Sequence, residues 1–284
     1  MIRIDAHLHL WDLSRGGYSW LGPEHGGLFR SFGAEEARAE LVAAGIDGAI
    51  LVQADDSRED TESMLAVARE NPWVVGIVGW VPLDRPECAA QEIERAAADP
   101  LVCGLRHLVH DDPRDDFLAL PSVRSSLMMA ARAGLAFDVP DAWPRHLTAT
   151  IGLARELPEL TLVLDHLGKP PLQGGEGALA AWRRELRALG ELPNAVAKVS
   201  GLRLAGASYT VDALRGVWHE ALDAFGPERL MLGSDWPVST LGGPYGETLG
   251  VLETLASELS PDEQAWLDGR SAAAAYGLSA YLPR

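Results

Sequence analysis

The chain begins with MIRIDAHLHL, residues 1–10, a stretch in which polar and apolar side chains alternate. Alternation with a period of two predicts a β-strand that turns one face toward a hydrophobic layer. His7 and His9 are two positions apart, so this prediction places both imidazoles on the same face, about 6–7 Å apart along the strand. Such a pair can converge on one metal ion or one substrate atom, although a solvated surface pair is the simpler alternative.

Apolar runs of strand length recur after this stretch and alternate with segments of helical periodicity. Continuous apolar runs are typical of a parallel sheet that is covered on both faces. Together with the first strand they make eight βα units, and eight such units in 284 residues favour a (β/α)8 TIM barrel over an open doubly wound sheet. No linker interrupts the pattern, so we predict a single domain over residues 1–284. The runs are 49–52, 74–81, 101–105, 135–139, 161–164, 195–199 and 230–232.

The composition narrows the class of protein. Acidic residues outnumber basic ones by 41 to 24, for a formal charge of −17, which argues against nucleic acid or an anionic membrane as a partner. Two cysteines are too few for a disulfide framework, and neither a leader peptide nor an apolar run long enough to span a membrane is evident. We therefore expect a cytoplasmic protein that binds a small molecule. The sequence leaves open whether the chain forms homo-oligomers.

Polar residues follow the predicted strands at the point where each strand ends. Because the active site of a (β/α)8 barrel lies at the carboxyl ends of its strands, these side chains are expected to meet at one rim. A purely structural barrel has no need of ionisable groups at so many strand ends. The residues concerned are His7, His9, Gln53, Asp55, Trp80, Arg106, His107, His110, Asp138, Asp165, His166, Lys198, Ser200, Ser234, Asp235 and Trp236.

Five short motifs in this order resemble the amidohydrolase superfamily. They begin at Asp5 (DAHLH), Gly104 (GLRH), Asp165 (DHLGKP), Lys198 (KVSGL) and Gly233 (GSDWP), and they span most of the chain. Within the superfamily they look like the branch of sugar lactonases and 2-pyrone-4,6-dicarboxylate lactonases. The resemblance implies a hydrolytic barrel that opens the lactone ring of a sugar acid, an aldono-1,4- or 1,5-lactone, by attack of an activated water.

The resemblance also implies roles for individual residues. His7, His9, His166 and Asp235 would surround the reacting carbonyl group, with Asp235 as the general base that takes a proton from water. A second group is expected to bind the substrate or the developing oxyanion, by charge, by hydrogen bonds or by stacking of indole rings on a sugar. Arg106 and His107 are neighbours, so only one of them can face the site, and Arg106 is preferred. The second group contains Arg106, His107, Lys198, Trp80, Gln53 and Trp236.

The sequence is compatible with catalysis with or without a metal, and with more than one reaction. A single Zn²⁺ on His7, His9 and Asp235 would make an open catalytic site, whereas without metal the two histidines would donate hydrogen bonds to the carbonyl oxygen. The strand that ends in Asp138 has no histidine there, and the end of the fourth strand has no lysine, so a two-metal centre is not expected. Amide hydrolysis, metal-dependent decarboxylation of an aromatic acid and a catalytically silent barrel that binds a sugar acid are the alternatives.

Overall fold

Eight parallel strands form one sheet in the order in which they follow each other along the chain. The computed structural model describes residues 2–203 and 208–278. The sheet closes where Leu8 pairs with Trp236, and backbone hydrogen bonds join the first strand to the segment after the eighth. The predicted (β/α)8 barrel is confirmed. The strands β1 to β8 are Ile4–Leu8, Gly48–Val52, Val74–Gly79, Val102–Arg106, Ala136–Val139, Leu162–Leu164, Ala195–Val199 and Leu230–Leu232.

Helices connect the strands and cover the outside of the barrel. The fifth helix begins only at Leu147, because His146 before it has a non-helical backbone and the Trp143 amide donates to the Gly168 carbonyl. None of the helices in the described part of the chain is long and apolar enough to cross a membrane. The helices α1 to α10 are Ala34–Ala43, Arg58–Glu70, Pro86–Ala98, Pro121–Arg132, Leu147–Glu156, Gly175–Gly190, Val211–Phe225, Tyr245–Ala256, Pro261–Ala265 and Ser271–Ala275.

Strand β1 carries an extra residue relative to β2, and this residue changes which side chains face the interior. Asp5 pairs with Ala49 but Leu8 pairs with Leu51, so three steps on β1 match two on β2. Ile4 and Ala6 pack inside the barrel, whereas Leu8 belongs to the layer between strands and helices. A β-bulge of this kind re-aims side chains at the rim of a barrel. Simple alternation, which placed Asp5 and His7 on one face, is therefore wrong for Asp5.

The amino-terminal end of the barrel is filled by the last described residues. Helix α10 and the residues after it place Tyr276 and Leu278 among the interior side chains of the strands. Gly104 makes room for the Tyr276 ring, since a Cβ there would lie 3.2 Å from Tyr276 Cε1 and 3.3 Å from the Ala136 carbonyl oxygen. The barrel interior is thus completed by a segment that follows β8 by about forty residues.

Candidate active site

Three imidazoles and one carboxylate meet at the carboxyl end of the barrel. Asp235 Oδ1 lies 3.4 Å from His9 Nε2, 3.8 Å from His7 Nε2 and 4.0 Å from His166 Nε2. The Nε2 atoms of His7 and His9 are 3.0 Å apart. His9 Nδ1 lies 2.7 Å from the Val52 carbonyl oxygen, so Nδ1 carries the proton and Nε2 offers a lone pair. The four residues predicted to surround the reacting group are brought together.

The backbone that carries this group is held in unusual conformations. His166 and Asp235 both have φ of 57°, in the left-handed region that non-glycine residues seldom adopt. Such conformations persist only where surrounding contacts impose them, and they are concentrated at active sites. At Asp235 one such contact is a hydrogen bond from its amide to the His7 carbonyl oxygen, at 2.9 Å. The carboxylate and the β1 histidines are therefore fixed relative to each other by the main chain.

Two glycines leave the space that the imidazoles occupy. A Cβ at Gly201 would lie 2.3 Å from His166 Nδ1, and Gly201 also has φ of +58°. A Cβ at Gly233 would lie 2.8 Å from His7 Cβ. Distances below 3.0 Å are not tolerated without movement of the neighbour, so both motif glycines have a steric reason for their presence.

A layer of buried charges lies directly beneath the histidines. Lys198 Nζ is 2.6 Å from Asp138 Oδ2, 3.1 Å from Asp165 Oδ1 and 3.2 Å from His7 Nδ1. Arg106 Nη1 lies 3.2 Å from Asp165 Oδ2 and 3.4 Å from His7 Nε2. The two cations balance the two carboxylates, which is how charges are tolerated in a barrel interior. The layer thus supports His7 from below without adding net charge.

Burial sets the protonation of the group. Burial holds the pKa of His7 well below its ordinary value, although the nearby Asp165 opposes the shift. Burial likewise lowers the pKa of His166 against the opposing charge of Asp235. For Asp235 burial alone would raise the pKa, but His166, His9 and His7 more than offset it and hold the pKa well below its usual range. At neutral pH the site therefore contains neutral His7 and His166 beside an ionised carboxylate.

A cavity of about 280 Å³ opens above Asp235, and its charged groups are largely paired. The guanidinium of Arg106 donates to the Gln53 carbonyl oxygen at 2.7 Å in addition to its contact with Asp165. Lys169 Nζ lies 3.4 Å from Asp141 Oδ2. The residues that line the cavity are His9, Trp11, Trp20, His25, Ala54, Arg106, Leu108, His110, Asp111, Pro140, Asp141, His166, Lys169, Asp235 and Val238.

His107 and Trp80, predicted to contact substrate, lie elsewhere. The ring nitrogens of His107 are 3.0 Å from an Asp56 oxygen and 3.1 Å from an Asp112 oxygen, and the ring stacks on Phe117 with centroids 4.0 Å apart. Trp80 lines a groove between α2 and α3. Neither is among the described residues that line the cavity. As expected for neighbours on a strand, Arg106 faces inward and His107 outward.

The other predicted contacts lie behind the cavity wall. Lys198 is fully buried in the charged layer, Trp236 is 1% exposed and packs edge-on against Phe32, and Gln53 Nε2 donates to Asp56. Each supports groups that line the cavity, and none belongs to the lining itself.

Loop residues that the sequence argument did not select complete the cavity. His25, Asp141 and Lys169 come from three different loops, and loop positions carry no periodicity that could have placed them. A signal existed for Lys169, which belongs to the motif that begins at Asp165. Asp141 likewise comes two residues after β5, where rim residues are expected.

The donor atoms suit one metal ion. Among the described residues, His7, His166 and Asp235 each offer a ligand atom, all within 4.8 Å of one another, and His9 Nε2 lies beside them. Two imidazole nitrogens 3.0 Å apart cannot direct lone pairs at each other unless a proton or a cation lies between them. In a tetrahedral zinc site with bonds of about 2.0–2.1 Å, ligand atoms are about 3.3 Å apart, which falls inside the observed range of 3.0 to 4.0 Å.

Comparison with known proteins places the chain in a family. Residues 4–278 match the family model described as Amidohydrolase. An L-fucono-1,5-lactonase from Burkholderia ambifaria is 35% identical, with 97% of this chain and 96% of that protein covered, and another from Burkholderia multivorans is 32% identical, covering 98% and 96%. The solved structure of an amidohydrolase from Burkholderia multivorans with bound zinc matches with a TM-score of 0.87 at 33% identity, covering 98% and 99%. The resemblance noted in the motifs is confirmed, and the chain belongs to the amidohydrolase family.

Proposed function

We propose that this protein hydrolyses the lactone of an aldonic acid, and that L-fucono-1,5-lactone is the substrate to test first. The observation that carries the proposal is the contact of Asp235 with His7, His9 and His166 at the floor of a cavity of small-molecule size. Two relatives that match nearly the full chain are named for this reaction, in agreement with the lactonase predicted from the motifs.

Asp235 is the group that moves the proton. Its contacts with the three imidazoles use Oδ1, which leaves the second carboxylate oxygen to accept a proton from water as that water attacks the lactone carbonyl. The same group then returns the proton to the ring oxygen that leaves as an alkoxide, so the carboxylate is regenerated after each turnover. Arg106, whose guanidinium lines the cavity, is placed to bind the developing oxyanion.

His7, His9 and Asp235 would hold one zinc ion, with His166 adjacent. When bound, such an ion supplies a water of lowered pKa and polarises the lactone carbonyl. The lowered pKa of His7 suits this role because a metal ligand must be unprotonated. His166 stays within hydrogen-bond distance of Ser200 Oγ, at 2.9 Å, which orients its ring toward Asp235.

The charges of the cavity favour an uncharged lactone over a lactone that carries carboxylates. Arg106 is already engaged by Asp165, Lys169 is engaged by Asp141, and Asp111 adds a further negative charge to the lining. These carboxylates already offset the charge of both cations, which leaves the cavity little net attraction for a substrate carboxylate. The site thus suits a sugar lactone with hydroxyl groups better than a pyrone dicarboxylate.

Changing Asp235 to Asn tests the proposal. Asparagine keeps the shape but cannot accept the proton, so kcat for lactone opening, followed by acid release, should fall by about 10²- to 10⁴-fold. Asp212→Asn, a change at a fully exposed position on α7, is the matched control and should keep native turnover. Turnover of Asp235→Asn within threefold of native would contradict the role of this carboxylate. A native protein inactive on every aldonolactone would contradict the reaction itself.

Metal content tests the zinc site separately. We expect about one zinc per chain in protein purified without chelator, loss of turnover after dialysis against a chelator, and recovery on addition of zinc. Full turnover in protein shown by elemental analysis to be free of metal would refute the zinc site and leave the lactonase reaction standing.

A further inference from the structure

We infer that Tyr276, outside the active site at the far end of the barrel interior, is a positioning residue for the reaction. It holds Asp138 in place, and Asp138 in turn fixes the ammonium of Lys198 against His7. The catalytic consequence rests on the proposed function, whereas the effect on His7 does not.

An unbroken chain of short contacts connects the two ends of the barrel interior. The Tyr276 hydroxyl donates to Asp138 Oδ2 at 2.7 Å, and Lys198 Nζ donates to the same oxygen at 2.6 Å. Lys198 Nζ is also 3.2 Å from His7 Nδ1, the nitrogen on the side of the ring away from the cluster with His9. Asp165 Oδ1 lies 3.2 Å from the same nitrogen, so Lys198 and Asp165 together orient His7, and Asp138 acts on His7 through Lys198.

Asp138 has few other restraints. Its second oxygen, Oδ1, has no hydrogen-bond partner among the described residues, although it is fully buried. Both known donors, Tyr276 and Lys198, share Oδ2. Without the tyrosine hydroxyl the carboxylate is free to rotate, and Lys198 can follow Asp138 or Asp165, which lies 3.1 Å from its nitrogen.

The fold provides space for this tyrosine. Gly104 lies beside its ring, and a Cβ there would press against both the ring and the Ala136 carbonyl oxygen. The Lys198 nitrogen lies 5.4 Å from the ring centroid, within the range of a cation–π contact. A phenylalanine would fill nearly the same volume, but only tyrosine also supplies the hydroxyl that reaches Asp138.

The test is Tyr276→Phe, which removes one oxygen and keeps the packing. Loss of one hydrogen bond to a charged group predicts a fall in kcat of about three- to tenfold, with KM within about twofold of native. In the double variant with Asp138→Asn, we expect no further loss beyond that of Asp138→Asn alone, because both changes act through Lys198. Unchanged kcat in Tyr276→Phe, or additive losses in the double variant, would overturn the inference.

Cys103→Ala is the matched control. Cys103 belongs to the same interior group and donates to the Ile77 carbonyl oxygen, so its truncation loosens the same packing without entering the chain from Tyr276 to His7. We expect a lower melting temperature and native kcat. If Cys103→Ala lowers kcat as much as Tyr276→Phe does, the effect is general loosening and the inference fails.

A readout that needs no substrate separates this inference from the proposed function. Nitrogen NMR of protein labelled at histidine reports the tautomer and surroundings of His7, assigned by comparison with His7→Asn. We expect the His7 ring signals to move in Tyr276→Phe and to stay in place in Cys103→Ala. This measurement holds even if the native protein opens no lactone, and unmoved signals in Tyr276→Phe would refute the inference.

Discussion

Lys198→Met is expected to destabilise the fold, because it breaks a neutral buried layer of charge. Lys198 and Arg106 balance Asp138 and Asp165, and all but Arg106 have side chains that are 0% exposed. Removing one partner of a buried pair costs about 3–5 kcal/mol. At a typical unfolding entropy of about 0.6 kcal/mol/K for a chain of this length, the melting temperature should fall by about 5–8 °C.

The cost has an upper limit, and this limit depends on pH. Burial already raises the pKa of Asp138, and Lys198 opposes the rise, so in Lys198→Met we expect the carboxyl to take up a proton. Protonating a group of ordinary pKa 3.8 costs about 4.4 kcal/mol at pH 7 and about 1.4 kcal/mol less for each unit of lower pH. The folded variant then binds one more proton than its unfolded chain. The loss of stability should therefore shrink as pH falls from 7 toward about 6, the pKa to which burial raises Asp138 in the native protein.

Urea unfolding of the native protein and Lys198→Met at pH 7 and pH 6 measures both effects. The double variant Lys198→Met with Asp138→Asn restores a layer of zero net charge, so it should be more stable than the single variant at pH 7. A single variant as stable as the native protein would refute the reasoning. So would a loss of the same size at both pH values, or a double variant whose loss is the sum of the two single losses.

Two further predictions concern the histidines. Burial lowers the pKa of His166, so its ring is neutral at pH 7, and protonation at lower pH would place a cation against Asp235 and weaken it as a base. We therefore expect kcat/KM to be level from pH 7 to 8 and to fall only below about pH 6.5; a fall that begins above pH 7 in a pH–rate profile would contradict this. In Gly201→Ala the new Cβ would lie 2.3 Å from His166 Nδ1, so kcat should fall by about tenfold or more. Gly226→Ala also has a positive φ, with only Glu228 near, at 3.7 Å, and should cost stability but not rate; equal rates in both variants would exclude the steric argument.

The sequence was informative where a physical rule relates the position of a residue along the chain to its location in the fold. Continuous apolar runs indicate parallel strands, and the rule that strand ends meet at one rim predicts that His7, His9, His166 and Asp235 lie together. Alternation also indicated that only one of Arg106 and His107 faces inward, and the structure shows that it is Arg106. To make these predictions it was enough to assume that the barrel closes, and no other contact between distant segments had to be known.

What the sequence could not show depends on contacts that no local pattern records. The extra residue in β1 turns Asp5 outward, where it accepts a hydrogen bond from Tyr245, and a bulge has no signature in a strand of this composition. Lys198 was predicted to contact substrate, and the structure places it beneath the histidines. The polarity of a residue near the end of a strand does not show how far below the rim its side chain lies. Tyr276 is far from every motif in the chain.

The interior of this barrel is assembled from both extremes of the described chain. Ile4 and Ala6 share one packed group with Met231, Ala272 and Tyr276. Contacts of such long sequence separation form late and slow a folding reaction, because the loop they close is nearly the whole domain. During synthesis the inner faces of the first seven strands would stay uncovered until residues 271–278 had been made. Fragments that stop after Pro237 should therefore bind chaperones or aggregate, even though they contain every motif of the active site.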